Sequence, residues 1–105
     1  MTRLIVKVGG AVAGGSADRI LGLVEDGHQV CVVHGAGPQI TQEMHRRGIR
    51  VEFVGGRRRT TRATVDVVRD AIAAVIAALC AELGEVAVPV FGDRDGLLAV
   101  PVPPL

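Results

Sequence analysis

Two segments of this sequence combine glycines with a preceding apolar run, a pattern that is typical of anion-binding turns. Residues 30–37 read VCVVHGAG, and Pro38 follows directly before an amphipathic segment. This order predicts a strand, a turn of small residues and then a helix, whose first N–H groups have no partner within the helix. Those groups and the positive end of the helix dipole attract an anion. The sequence therefore predicts a phosphate or carboxylate site at this turn.

The other segment carries a lysine inside its apolar run. Residues 4–10 read LIVKVGG, so Lys7 comes shortly before Gly9 and Gly10. One interpretation is that Lys7 extends its ammonium into water from the end of a strand. The other is that the ammonium lies over a phosphate bound by the N–H groups of the two glycines, because a backbone without Cβ atoms can approach an anion closely. The turns that follow two adjacent parallel strands lie at the same edge of the sheet, so the two segments together favour the second interpretation.

An arginine run is the third chemically active feature. Arg57, Arg58 and Arg59 are consecutive, and Arg62 is near. If they lie on a strand, Arg58 points to the face opposite the other two. One arginine directed at the glycine turns would bind a carboxylate with two parallel hydrogen bonds. We predict that Arg58 does so and that Arg57 and Arg59 are exposed; the alternative is a solvated basic patch.

Other polar residues suit structural roles better than catalytic ones. His34 fits a structural position in a strand-end turn, and His28 and His45 lie among polar residues, where water is the expected neighbour. Asp93 and Asp95 fit a glycine-bounded turn better than contacts with magnesium or substrate. No Cys or His pair has the spacing of metal ligands, so no transition metal is predicted. Neither a P-loop nor a Rossmann glycine motif occurs.

The composition fits one small α/β domain. Of the 105 residues, 49% are hydrophobic and 2% aromatic, which suits buried parallel strands. The formal net charge of +1 argues against a general binder of nucleic acids or membrane surfaces. Cys31 and Cys80 lie in apolar segments and are expected to be buried and unpaired, as in a reducing compartment. No signal-peptide or membrane-spanning pattern is present, so the expected location is the cytoplasm.

The first half of the chain predicts the elements that position these residues. Strands at residues 3–8 and 29–33 flank a helix within about 30 residues, the spacing of a βαβ unit with parallel strands. A second helix is predicted at residues 38–47, with Ile40 and Met44 toward the sheet. This arrangement places both glycine turns at one edge of the sheet.

The second half predicts a hairpin and a long helix. Strands at residues 51–54 and 57–60 would turn at two glycines. A helix follows at residues 62–83, and between Asp70 and Glu82 it has no polar residue. A helix that is apolar on all sides must be covered on all sides. Cover from a second copy of the chain is favoured over complete wrapping by so small a domain.

Two further strands are predicted near the end of the chain. Residues 86–91 form an apolar run with Pro89 inside it, a position that suits an edge or a bulge. Residues 97–102 would form the last strand after a polar turn. No internal repeat is present.

Three motifs resemble the amino acid kinase family: KVGG at residues 7–10, HGAGPQI at 34–40 and FVGGRRRTT at 53–61. Within that family the motifs look like those of the N-acetylglutamate kinases of arginine biosynthesis, which use ATP to phosphorylate the side-chain carboxylate of N-acetyl-L-glutamate. The resemblance covers nearly the whole chain and implies a three-layer αβα sandwich with a mainly parallel central sheet. It is more specific to the family than to the substrate, so a kinase for another acylated amino acid, of the aminoadipate type, stays open.

The resemblance implies roles for particular residues, which are Lys7, Gly9, Gly10, Gly35, Ala36, Gly37 and Arg58. Lys7 would stabilise the transferring phosphoryl group, and the two glycines after it would contact the same group. The HGAG turn would hold the substrate and the phosphoryl oxygens, and Arg58 would bind the substrate's α-carboxylate. The implied cofactor is ATP with Mg²⁺, and the implied partner is a second copy bound through helix 62–83.

Departures from the family pattern qualify these expectations. Ala36 replaces a glycine that many members have, and Ile76 replaces a frequent asparagine. The family's second half, with its ATP-binding lobe, catalytic aspartate and second lysine, has no counterpart in these residues. Residues 1–105 are therefore expected to be a single domain, the N-terminal substrate-binding lobe, and to be inactive alone. The alternative is a non-catalytic remnant that binds small anions or dimerises.

Overall fold

The structure is a computed structural model that describes residues 2–9, 15–92 and 94–96. Its elements are β1 (Arg3–Val8), α1 (Ala17–Glu25), β2 (Gln29–His34), α2 (Gly37–Arg46), β3 (Phe53–Val54), β4 (Arg57–Arg58) and α3 (Arg62–Leu83), followed by a 3₁₀ helix at Gly84–Val86. Their order follows the sequence-based prediction as far as the end of α3. Helices combined with a parallel strand pair confirm the α/β class.

The strands β1 and β2 pair in parallel through their whole length. Their register runs from Arg3 opposite Gln29 to Val8 opposite His34. The helix α1 connects them and packs on β2. This is the predicted βαβ unit, and its two strands end level with each other.

Helices cover one face of this two-stranded sheet. Val6, Val8, Val30 and Val32 alternate along the strands and contact the core cluster formed with the three helices. Side chains alternate across a strand, so the residues between them point to the opposite face. There Ile5 is 79% exposed. The described residues therefore form one helical layer and the sheet, which is part of the predicted three-layer sandwich.

The exposed face corrects the prediction for Cys31. This residue was expected to be buried, but it lies on β2 between Val30 and Val32 and is exposed. No described element covers that side of the strand. Cys31 is therefore exposed although its neighbours in the sequence are apolar. Cys80 is half-buried, and both cysteines are free thiols.

The predicted hairpin is present and turns at two glycines, but its strands are shorter than predicted, covering Phe53–Val54 and Arg57–Arg58 and not residues 51–54 and 57–60. Phe53 pairs with Arg58 and Val54 with Arg57 in antiparallel register. Gly55 and Gly56 have φ angles of +57° and +78°. Two successive residues with positive φ are the geometry of the type I′ turn, which side chains other than glycine, asparagine and aspartate disfavour.

The long helix α3 begins at a threonine cap. Thr61 is the N-cap residue, and its N–H donates to the Thr64 hydroxyl at 2.8 Å. This contact uses one of the N–H groups that lack a partner at a helix start. Among the described residues, no helix is both long enough and apolar enough to cross a bilayer.

The burial of α3 corrects the expectation that its large apolar residues need a second chain. Val75, Ile76 and Leu79 are buried within this chain, and Val75 is only 7% exposed. The helices α1 and α2 pack against α3 and supply this cover. Apart from Glu82, the exposed side of its second half consists of small residues, namely Ala74, Ala77, Ala78 and Ala81.

The strand predicted at residues 86–91 is not found. The segment begins inside the 3₁₀ helix and then continues without strand pairing, and Val88 is 82% exposed. Pro89 has no N–H to give to a strand ladder, which disfavours pairing there. The segment borders an apolar groove of about 350 Å³ along β2. The strand predicted at residues 97–102 lies outside the described residues.

The orientation of α3 gives a stability prediction. Val75→Asp buries a carboxylate in the core and should destabilise the chain by on the order of 4 kcal/mol. Ala63→Asp places the same group at an exposed position in the first turn of α3 and should leave stability nearly unchanged. Urea unfolding followed by circular dichroism measures both, and equal midpoints for the two variants would contradict this packing.

Candidate functional site

The two glycine turns leave the sheet side by side. Val8 and His34 form the last pair of the β1–β2 register, so Gly9 and Gly35 follow at the same edge. This is the arrangement that the sequence predicted. Gly10 lies outside the described residues, so only the first glycine after β1 is placed.

The Lys7 ammonium lies at this edge, close to the second turn. Its Nζ is 3.5 Å from the Val8 carbonyl oxygen. A Cβ built on Gly35 would be 3.8 Å from the same Nζ. Lys7 thus extends from β1 toward the turn after β2 and adds positive charge there.

The second turn passes directly into α2. Ala36 is its N-cap residue, the Ile40 N–H donates to the Ala36 carbonyl at 2.8 Å, and Pro38 lies in the first turn. Proline suits that position because its missing N–H would have had no helical partner. The positive end of the α2 dipole therefore lies at the glycine turn.

Ala36 shows why the turn tolerates a residue other than glycine. Its φ of −145° and ψ of 26° require no left-handed backbone, and its methyl group is buried, with 3% exposure. The methyl packs in the core cluster with Ile40 and Met44. In contrast, a Cβ on Gly37 would meet no atom within 4 Å, so this residue borders open space.

Arg58 reaches the same turn from the hairpin. Its Nη2 donates to the Gly37 carbonyl and to the Thr41 hydroxyl, both at 2.9 Å. Its Nη1 lies 3.6 Å from the Met44 sulfur, and its Cζ is 4.8 Å from the centre of the Phe53 ring. The structure thus brings Arg58, and not its neighbours, to the first turn of α2.

The two flanking arginines are exposed, as predicted from strand alternation. Arg59 donates from Nη1 to Glu52 at 3.1 Å, which is an ion pair on the surface. Arg57 pairs in the hairpin with Val54 and is exposed. The three consecutive arginines therefore have different surroundings.

A charged network joins α2 to α3 on the surface. Arg46 and Arg47 both donate to Glu43, and Arg47 also donates to Asp70 on α3 at 3.0 Å. The hydrogen bonds from Arg46 and then Arg47 lower the pKa of Glu43 from 4.5 to about 2. The link between the helices helps to hold α2, whose other end forms the candidate site.

The remaining predicted residues have structural surroundings. Asp95 accepts the Phe91 N–H at 2.6 Å, which fits a turn role, and Asp93 lies outside the described residues. His34 Nδ1 is 3.4 Å from the Gly35 carbonyl, and His45 is exposed. The prediction of a solvated His28 was wrong, because its Nδ1 is buried and has no hydrogen-bond partner among the described residues.

The site and the apolar groove along β2 are different places. Neither Lys7 nor Arg58 lines that groove, which is bordered mainly by β2, α3 and residues 86–90. Within the part of the chain that the structure describes, no group of three or more His, Cys, Asp and Glu side chains could hold a metal ion. The cationic edge of the sheet is therefore the place where an anion fits best.

Sequence reasoning did not identify Thr41, Met44 and Phe53 as neighbours of Arg58. Thr41 follows Gly37 by four residues, a spacing that puts both on one face of a helix. That spacing indicates that the two residues share a face of α2, but it does not indicate which side chain from another element contacts this face. Only the docking of the hairpin on α2 supplies this information.

The depressed pKa of Glu43 gives a prediction about pH. Because the folded value lies below the ordinary one, the ion pairs of Glu43 contribute stability above pH 4.5, and this contribution is lost as the pH falls through about 2. Arg46→Met should raise the pKa of Glu43, measured by carboxyl ¹³C NMR titration. Arg50→Met removes an arginine that pairs with Glu52 instead and should leave it unchanged. An unaltered titration of Glu43 in the Arg46 variant would contradict the assignment.

Comparison with known proteins agrees with the motifs at this site. The chain is 37% identical over 103 residues to acetylglutamate kinase of Bacillus licheniformis, an alignment that covers 90% of this chain and 40% of that protein. It is 36% identical over 104 residues to acetylglutamate kinase of Deinococcus radiodurans, covering 94% and 41%. It is 44% identical over 72 residues to acetylglutamate kinase of Frankia alni, covering 63% and 21%.

The chain thus spans about 40% of the length of the first two of these curated relatives. The sequence model of the amino acid kinase family matches residues 2–93, which include both glycine turns, the hairpin and α3. This chain belongs to the amino acid kinase family.

Proposed function

We propose that this chain forms the substrate-binding half of an acetylglutamate kinase, which transfers a phosphoryl group from ATP to the side-chain carboxylate of N-acetyl-L-glutamate. The observation that carries the proposal is the placement of two cations at one glycine turn. The Lys7 ammonium lies near Gly35, and the Arg58 guanidinium contacts Gly37 two residues later. A substrate with a carboxylate at one end and a phosphoryl acceptor at the other suits this pair of charges.

Each group has a role in that reaction. Arg58 binds the α-carboxylate and so orients the substrate, while Lys7 neutralises charge on the transferring phosphoryl group. The N–H groups of Gly9, Gly10 and the Gly35–Ala36–Gly37 turn donate to the phosphoryl oxygens. In the transfer, a side-chain carboxylate oxygen forms a bond to the γ-phosphorus, and the bond from that phosphorus to the oxygen of ADP breaks. Catalysis of this kind consists mainly of positioning and charge stabilisation.

The described residues fit only the phosphoryl end of ATP. Lys7 and the glycine turns suit phosphate oxygens, and the described residues contain no group of three or more His, Cys, Asp and Glu side chains that could hold a metal ion. In our proposal, the adenosine site and the ligands of Mg²⁺ belong to an ATP-binding lobe outside these 105 residues. Residues 1–105 form the N-terminal lobe, and its two free thiols suit a reducing cytoplasm.

The role of Arg58 gives the test of this proposal. Arg58→Lys keeps the charge but cannot form two parallel bonds to a carboxylate. We expect the affinity of the chain for N-acetyl-L-glutamate to fall about thirtyfold, which corresponds to about 2 kcal/mol. NMR titration of the chain with this ligand measures the change.

The neighbouring arginines are the matched controls for this experiment. Arg57→Lys and Arg59→Lys make the same chemical change at exposed positions and should alter the affinity less than twofold. Equal losses at all three positions would indicate a diffuse basic patch. Absence of any binding to the unaltered chain would favour the non-catalytic alternative.

We also propose that the protein is a homodimer formed through helix 62–83. The support is the exposed alanine side of α3, formed by Ala74, Ala77, Ala78 and Ala81. Small side chains let two helices approach closely, because the distance between helix axes depends on the residues at the contact. A two-fold axis would bring the same side of α3 from both chains together. The large residues Val75 and Leu79 are already covered within the chain, so they do not form this contact.

The dimer is tested at the exposed side of α3. Ala77→Glu places two carboxylates in a two-fold contact and should convert the dimer to monomers at micromolar concentration, as measured by sedimentation velocity. Ala63→Glu is the control, because this residue is exposed in the first turn of the same helix. A monomeric unaltered chain at that concentration would show that the dimer proposal is wrong.

A further inference from the structure

The Arg58 guanidinium is held on several sides by contacts within the chain. Nη2 donates to the Gly37 carbonyl and the Thr41 hydroxyl, and Nη1 contacts the Met44 sulfur. The guanidinium carbon lies over the ring of Phe53, 4.8 Å from its centre. Met44 is completely buried, with 0% exposure, so this side of the arginine is anchored to the core.

These contacts restrict how Arg58 can bind a carboxylate. A bidentate carboxylate uses either Nη1 with Nη2 or Nε with Nη2, so both arrangements need a hydrogen on Nη2. Nη2 has two hydrogens, and its two acceptors are the Gly37 carbonyl and the Thr41 hydroxyl. A carboxylate with two bonds must therefore replace one of these acceptors.

The two acceptors differ in ways that decide which is replaced. The contact with the Gly37 carbonyl is exposed, whereas the contact with the Thr41 hydroxyl is partly buried. The Gly37 carbonyl lies in the first turn of α2, where helix geometry provides a second donor, the N–H four residues later. If the carboxylate replaces the Gly37 carbonyl as acceptor, that oxygen keeps its helical hydrogen bond. If it replaces the Thr41 hydroxyl, a partly buried hydroxyl loses its hydrogen bond from Nη2.

We propose that Thr41 is a positioning residue for substrate binding by Arg58. Its hydroxyl retains one Nη2 hydrogen, while the substrate's α-carboxylate takes the position of the Gly37 carbonyl at the other. The guanidinium then stays fixed between Thr41, Met44 and Phe53. The Nη2 hydrogen that pointed to Gly37, together with a neighbouring N–H of the guanidinium, is presented to the ligand. This inference rests on the proposed function, because it assigns the anion at Arg58 to the α-carboxylate.

The experiment compares two ligands that differ only at this group. N-acetyl-L-glutamate carries the α-carboxylate, and N-acetyl-L-isoglutamine carries a carboxamide in its place. Thr41→Val, which keeps the shape but lacks the hydroxyl, should weaken binding of the first ligand about tenfold. It should weaken binding of the second less than about threefold, since a neutral amide cannot form the charged fork.

Two further variants separate positioning from a general loss of structure. Thr41→Ser restores the hydroxyl and should recover most of the affinity for N-acetyl-L-glutamate. Thr2→Val removes a hydroxyl from an exposed residue at the opposite end of β1 and should change neither affinity. Equal losses for both ligands in Thr41→Val, no loss at all, or no recovery in Thr41→Ser would overturn the inference.

A measurement without ligand distinguishes this inference from the proposed function. In the unaltered chain, ¹⁵N NMR should show slow rotation about the Cζ–Nη2 bond of Arg58. The rotation should become faster in Thr41→Val, where only the bond to the Gly37 carbonyl remains on Nη2, and stay slow in Thr41→Ser. Fast rotation in the unaltered chain would show that Thr41 does not position Arg58. If rotation is slow but the unaltered chain does not bind N-acetyl-L-glutamate more tightly than N-acetyl-L-isoglutamine, the proposed function is wrong. The assignment of the α-carboxylate to Arg58 is then wrong as well.

Discussion

The parallel pairing of β1 with β2 is the constraint on which the rest of the structure depends. Its register places Val8 opposite His34, so both glycine turns begin at one sheet edge. A shift by one residue would also move the inward valines to the exposed face, because side chains alternate along a strand. The same hydrogen bonds therefore determine which residues enter the core and where the cationic site forms.

The helix α2 connects this site to the core. Ala36 and Met44 are buried, while Gly37 borders open space and accepts a hydrogen bond from Arg58. Because the buried residues fix the position of the helix, they also fix the carbonyl and hydroxyl groups that contact the guanidinium. The surface network of Glu43, Arg47 and Asp70 adds a second attachment to α3. The position of α2 therefore determines both the geometry of the site and part of the core packing.

The helix α3 shows how an apolar sequence can be divided between two surfaces. Its large residues pack against α1 and α2, whereas four alanines of its second half, Ala74, Ala77, Ala78 and Ala81, remain exposed. An alanine surface exposes little apolar area per residue, so it is compatible both with water and with close approach of another helix. The absence of polar residues therefore did not by itself require a partner. Side-chain size, and not hydrophobicity alone, distinguishes the two sides.

The sequence by itself determined the order of the elements up to residue 83, the shared edge of the two turns and the orientation of Arg58 toward the second turn. Each of these follows from local periodicity, glycine geometry or strand alternation, which act over a few residues. Only the tertiary structure decided that Cys31 is exposed, that Val75 is buried and that residues 86–91 do not pair. It alone also placed Thr41 beside Arg58. These outcomes depend on which distant element lies against each residue, and burial and strand pairing need a partner that no local pattern specifies.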